Sequence, residues 1–178
     1  MVLNGPLKDF MDSRHPRIAT YVFYRPEFFV DRLIIAIKQL VQKFPELGLV
    51  VLGSPEVPEE VQQQVKKMDL EPYIFFAGDQ SHDAFLTILS QCDFYLRTPV
   101  KDGICSSVLE ALSLGVPVVA SENNRRPASV ITYDNSHPES MVKVIEEVVP
   151  NLNEIKKQIK KPYIKDTVQD EITLLTED

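Results

Sequence analysis

The sequence predicts an α/β domain built on a Rossmann-like, doubly wound, mostly parallel six-stranded sheet with helices on both faces. Three observations predict it. Short continuous apolar runs, such as Leu47 to Leu52 and Val116 to Ala120, suit strands buried on both faces. Stretches with apolar residues at helical spacing lie between those runs, so strand and helix alternate. Gly, Pro, Asn, Asp and Ser clusters mark the junctions.

Residues 1–16 carry Gly5, Pro6 and Pro16 with little periodicity and read as a linker or an arm crossing the domain surface. Ile18 to Phe23 is the first strand. After Arg25-Pro26-Glu27, the span Phe29 to Phe44 places Val30, Leu33, Ile34, Ile37, Leu40, Val41 and Phe44 at helical period. Leu47 to Leu52 is the second strand, and Pro58 to Met68 a polar helix opened by proline. Tyr73 to Ala77 is the third strand. Ser81 is positioned to cap a helix over Ala84 to Ser90, and Phe94 to Leu96 forms the fourth strand.

The stretch from Lys101 to Ser121 organises the rest. Asp102 and Gly103 open a loop, Ser106 or Ser107 caps a helix with Val108, Leu109, Ala111, Leu112 and Leu114 on its apolar side, and Gly115 stops it. Val116 to Ala120 is the fifth strand, Ser129 to Tyr133 the sixth, and Pro138 to Val149 a further amphipathic helix. Leu152 to Ile159 is a last amphipathic piece, followed by a Lys- and Asp-rich tail. This gives three regions: an arm at 1–16, the sheet domain at 17–150, and a C-terminal helix and polar tail at 151–178. In a parallel sheet of this kind the ligand crevice lies beyond the carboxyl ends of the strands. The loops after Tyr24, Gly53, Gly78, Arg97 and Ser121 would share that edge.

Composition narrows the function classes. The chain has 178 residues, 44% hydrophobic and 25% charged, enough for one domain with a sizeable core. A net charge of −7 argues against a nucleic-acid partner, which needs clustered Lys and Arg. Lys156-Lys157 and Lys160-Lys161 alternate with apolar residues and read as the wet face of a helix. Cys92 and Cys105 make neither a disulfide framework nor a zinc site. No apolar run approaches the roughly 20 residues of a transmembrane segment, and the N-terminus does not read as a signal peptide. A reducing, cytoplasmic setting is the expectation.

The backbone N–H groups of a loop entering a helix can hold a phosphate without a lysine. Glu110, one turn into that helix, suits a sugar diol, because a carboxylate accepts two hydrogen bonds. Alternatively, Asp102 and Glu110 are solvated charges at a helix start, where acids are favoured anyway.

Asp102-x7-Glu110, followed by Ala111-Leu112-x-x-Gly115-x-Pro117-Val118-Val119-Ala120, resembles the acidic-x7-Glu signature of retaining glycosyltransferases of family 4 (group 1). The resemblance is to their C-terminal, nucleotide-sugar-binding domain, one half of a two-Rossmann GT-B fold. It runs from about Arg17 to about Val149 and takes in Asp31-Arg32-Leu33, Phe44 to Gly53, Ile74 to Gly78 and Cys92 to Leu96.

The resemblance implies a nucleotide-diphosphate sugar as donor substrate, with no cofactor and no metal. Asp102 would contact the donor sugar's hydroxyls. Gly103, Ile104, Cys105, Ser106 and Ser107 would line the sugar and diphosphate, Glu110 would grip the ribose, and Gly78 and Asp79 would meet the base. The acceptor would be bound by an N-terminal domain missing from this chain, and a membrane-surface acceptor is compatible with the scheme. The isolated domain would then transfer nothing.

The first βα loop departs from the pattern. The family's Arg and Lys, which neutralise the departing diphosphate, fall on Phe23 and Phe28. Losing two such cations would cost several kcal/mol in the transition state. Either Arg25, Arg125 or Arg126 substitutes, with Arg25 the nearest candidate for the catalytic role, or the chain is a non-catalytic, regulatory nucleotide-binding relative. Asn124 and Arg125 stand where a Gly pair is usual, and Ala128 where an acid is. A two-Rossmann epimerase half is a further alternative, whereas a response regulator would need an acidic cluster that Phe23-Tyr24-Arg25 does not supply. His15 and His137 read as exposed loop residues, and His82 as a helix-start residue on the ligand edge. Cys105 is either a reactive thiol at a helix N-terminus or a spectator donating its backbone N–H. Phe23, Tyr24, Phe28 and Phe29 read as core.

Overall fold

A computed structural model describes residue 3 and residues 5–162. Six strands form one sheet: β1 (Arg17–Val22), β2 (Gly48–Gly53), β3 (Ile74–Gly78), β4 (Phe94–Arg97), β5 (Val118–Ser121) and β6 (Val130–Tyr133). Their order is β3-β2-β1-β4-β5-β6. Every neighbouring pair is parallel, so the mostly parallel sheet expected is parallel throughout.

Parallel strands need crossovers, and helices supply the first four: α2 (Val30–Lys43), α3 (Glu59–Lys67), α4 (His82–Gln91) and α5 (Ser106–Ser113), whereas a loop joins β5 to β6; α1 (Gly5–Asp12) precedes β1, and α6 (Ser140–Val148) and α7 (Leu152–Gln158) follow β6. Strand alternation divides the core in two. Ile18, Leu49, Val51, Phe94, Leu96 and Val119 face α2, α3 and α6. Ala19, Val50, Leu52, Tyr95, Val118 and Ala120 face α1, α4 and α5. Burial on both faces explains why these strands read as continuous apolar runs.

At the carboxyl end of β2 the backbone of β1 comes so close that only glycine fits. A Cβ on Gly53, whose φ is +117°, would lie 2.2 Å from the Val22 carbonyl oxygen. Ser81 caps α4 as expected, its hydroxyl accepting from the Ala84 amide at 3.3 Å.

Two sequence readings are refined. The segment at 1–16, read as a linker or an arm crossing the domain surface, contains a helix, α1, that packs on the sheet: Met11 is 1% exposed and the Phe10 and Phe75 ring centroids are 5.5 Å apart. The helix after the central loop is capped at Cys105, with no side-chain bond, rather than by Ser106 or Ser107. Beyond α6 the chain changes face. Leu152 and Ile155 pack with the α2 side, and Ile159 with the α5 side. The polar tail ending in Thr176-Glu177-Asp178 lies outside the described residues.

Candidate functional site

The strand order reverses between β1 and β4, and a cavity of about 390 Å³ opens beside their carboxyl ends. Period-2 alternation places Tyr21 and Arg97 on the α4/α5 side of the sheet, the side Tyr95 faces, and both line this cavity. Helix α5 brings Cys105, Ser106, Ser107 and Glu110, and α4 brings His82 and Phe85.

The loop from Thr98 to Cys105 is held from behind by its own polar groups. Thr98 Oγ1 donates to the Phe28 carbonyl at 2.6 Å, and the Pro99 carbonyl accepts from Ser121 Oγ and Arg126 Nη2, each at 2.7 Å. Asn123 Nδ2 donates to the Gly103 carbonyl at 2.8 Å. No amide from Gly103 to Ser107 donates to a protein acceptor among the described residues. Cys105 takes φ +67°, a conformation strained for a side chain with a Cβ.

Glu110 faces the crevice. Its Oε1 lies 2.8 Å from His82 Nε2, and its side chain keeps 26% exposure. Beneath it, Tyr95 and Ser107 share a hydrogen bond of 2.8 Å, and Ser107 Oγ lies 3.2 Å from Cys105 Sγ. Burial pushes the Tyr95 phenol up to about 12, so it acts as a neutral hydroxyl. Cys92, by contrast, is a core thiol pushed by burial to about 12, and both cysteines are free.

Asp102 is held by its neighbours. Its Oδ2 accepts from Arg97 Nε at 2.7 Å. Its Oδ1 accepts from Asn123 Nδ2 at 3.3 Å and lies 3.0 Å from Arg126 Nη1, an ion contact without hydrogen-bond alignment. Both oxygens of this carboxylate are engaged by protein groups, and its side chain is 12% exposed. Arg25 is elsewhere. It lines an adjacent recess with Asp31 and Glu60, and its guanidinium sits over Phe23 at 5.4 Å. Arg125 is exposed, while the Arg126 side chain is buried against the loop.

Gly78 ends β3 at the same edge and Asp79 follows it, but it is their neighbour Gln80 that lines the cavity. His15 and His137 are exposed as expected, their side chains 65% and 67% accessible. Of the aromatic residues read as core, Phe28 is buried, whereas Phe23 is 38% exposed and forms part of the cavity wall. The sequence reading missed Arg97. Its signal was an arginine closing an apolar strand two residues after Tyr95, on the face that α5 covers.

Residues 16–165 match the family model for glycosyl transferases group 1, and the chain belongs to that family. Among curated relatives, an uncharacterised glycosyltransferase of Methanocaldococcus jannaschii is 26% identical over 56% of this chain. One component of the human phosphatidylinositol N-acetylglucosaminyltransferase is 24% identical over 79% of it. The chain spans only 24% and 28% of those two proteins. Among solved structures, Anabaena HepE in complex with UDP superposes with a TM-score of 0.74 at 15% identity, covering 95% of this chain and 50% of that one. The C-terminal domain of a Francisella tularensis group 1 glycosyl transferase gives 0.68 at 16% identity, covering 88% of each chain. These superpositions establish the Rossmann-like fold of GT-B glycosyltransferase domains. No described helix is long and apolar enough to cross a membrane.

Proposed function

We propose that this chain is the donor-binding half of a retaining glycosyltransferase that moves a hexose from a nucleotide-diphosphate sugar to an acceptor hydroxyl. One observation carries the reading: Cys105, Ser106 and Ser107, whose amides have no protein acceptor among the described residues, line one cavity together with Glu110 at the switch point of the sheet. Amides at a helix start favour a diphosphate, and a carboxylate one turn further in favours the ribose diol. His82 holds one oxygen of Glu110 and leaves the other for the ligand.

In this scheme the bond between the sugar's anomeric carbon and the diphosphate breaks, an acceptor hydroxyl oxygen bonds to that carbon on the same face, and the hydroxyl proton passes to the departing diphosphate. The helix-end N–H groups stabilise the charge that gathers on the leaving diphosphate. An acceptor domain outside this chain supplies the hydroxyl, so this chain alone binds donor and transfers nothing. The two free cysteines fit a cytoplasmic setting.

Calorimetric titration with UDP-, GDP- and ADP-glucose tests the proposal. One donor binds, and Glu110→Ala weakens it by about tenfold or more, the worth of a charge-assisted hydrogen bond. Binding of none, or binding indifferent to Glu110→Ala, contradicts it. The engagement of Asp102 by two arginines favours a second reading, a non-catalytic donor-binding module. Donor binding that persists without turnover once an acceptor domain is restored would select that reading.

A further inference from the structure

The first βα loop lacks the cations expected for a diphosphate, and the fold supplies one from a different strand. Phe23 and Phe28 stand edge to face, with ring centroids 5.6 Å apart. The Arg97 guanidinium lies against the Phe28 ring at 5.3 Å, with its side chain 9% exposed. Arg97 lines the same cavity as Ser106, Ser107 and Glu110. Two of its nitrogens are fixed: Nε donates to Asp102 at 2.7 Å, and Nη1 to the Tyr21 carbonyl at 2.9 Å.

This cation is not neutralised by its partner. Arg126 approaches the other oxygen of Asp102 at 3.0 Å, so two guanidiniums share one carboxylate and the cluster keeps a net positive charge. A guanidinium with a carboxylate oxygen 2.7 Å away stays protonated in spite of its burial. A fixed, largely desolvated charge beside helix-end amides acts on an anion more strongly than a screened surface charge does. The other arginines proposed for this task are less well placed: Arg25 lines another recess, and Arg125 is exposed.

We infer that Arg97 offsets the charge of the donor's diphosphate in this chain, and that Asp102 is a positioning residue that holds Arg97 rather than a contact to the donor sugar. This rests on the donor-binding reading above. It separates two ligand parts, since Arg97 and Asp102 then act on the diphosphate and neither acts on the hexose.

The test measures three probes on the intact chain: the nucleoside diphosphate selected from UDP, GDP and ADP, its nucleoside, and its glucose conjugate. Arg97→Gln weakens the diphosphate roughly 10- to 100-fold and leaves the nucleoside within about twofold. Asp102→Asn weakens the free diphosphate and the glucose conjugate by the same factor. Diphosphate affinity unchanged in Arg97→Gln overturns the inference while the donor-binding reading stands. So does a loss in Asp102→Asn confined to the glucose conjugate, the result expected of a direct sugar contact. Should Arg97→Gln fail to fold, Asp102→Asn carries the test, because it leaves both arginines in place. If none of the three diphosphates binds the unaltered chain, the donor-binding reading falls, and this inference falls with it.

Discussion

Asp93 sits just before β4 at the amino edge of the sheet, away from the donor cavity. Its Oδ2 accepts from the Arg17 amide at 2.7 Å and from Arg17 Nε at 3.2 Å, with His15 at 3.2 Å and Lys156 3.8 Å from Oδ1. Burial alone would raise its pKa, but the hydrogen bonds from Arg17 more than offset this and hold the carboxyl below its ordinary value of 3.8. A depressed folded pKa means that the unfolded chain takes up the proton first as pH falls. Stability from Asp93 is therefore complete above that ordinary value and drains away as pH drops through the folded value. Asp93→Asn should cost about 1–3 kcal/mol in urea denaturation at pH 7, and the gap to the unaltered protein should narrow below the ordinary carboxyl value. A gap independent of pH would show that the contact is not ionic. Arg97 and Asp93 stand at the two ends of β4, one lining the cavity at its carboxyl edge and the other pinned at its amino edge, although in sequence both are only charges beside an apolar run.

Helix α1 shows where local pattern and tertiary packing part. Its eight residues, Gly5-Pro6-Leu7-Lys8-Asp9-Phe10-Met11-Asp12, hold few apolar positions, and the two residues that could disrupt a helix interior, Gly5 and Pro6, stand at its start. The Phe10 ring against Phe75 and the burial of Met11 hold it in place. Met11→Ala should destabilise the chain by about 2–4 kcal/mol in chemical denaturation; a change within about 0.5 kcal/mol, the usual effect of a surface substitution, would restore the reading of this segment as an arm. The six strands and the helices from α2 to α7 were legible because each carries its own period and its own punctuation, as Gly53 and Ser81 show. The residues that act through space were less legible. Glu110 could be placed from its distance to the helix start. The pairing of Asp102 with Arg97 and Arg126 could not, because it depends on loops from β4 and β5 meeting at one edge. Phe23 looked like core for a similar reason: an aromatic residue at a strand end is buried or exposed according to which loop closes over it.

At the scale of the whole molecule, the sheet brings to one edge a helix start with free donors, a carboxylate and a guanidinium. An anion with a diol fits that combination, and the group 1 glycosyltransferase family to which the chain belongs is consistent with it. The central claim is positional: the diphosphate lies over the amides between Gly103 and Ser107. Amide chemical-shift mapping of the labelled chain during titration with UDP, GDP and ADP addresses it directly. The account predicts that one of the three produces saturable shifts at Gly103, Ile104, Cys105, Ser106 and Ser107, with little change around Arg25, Asp31 and Glu60. Shifts confined to that second recess, or none with any of the three nucleotides, would contradict it.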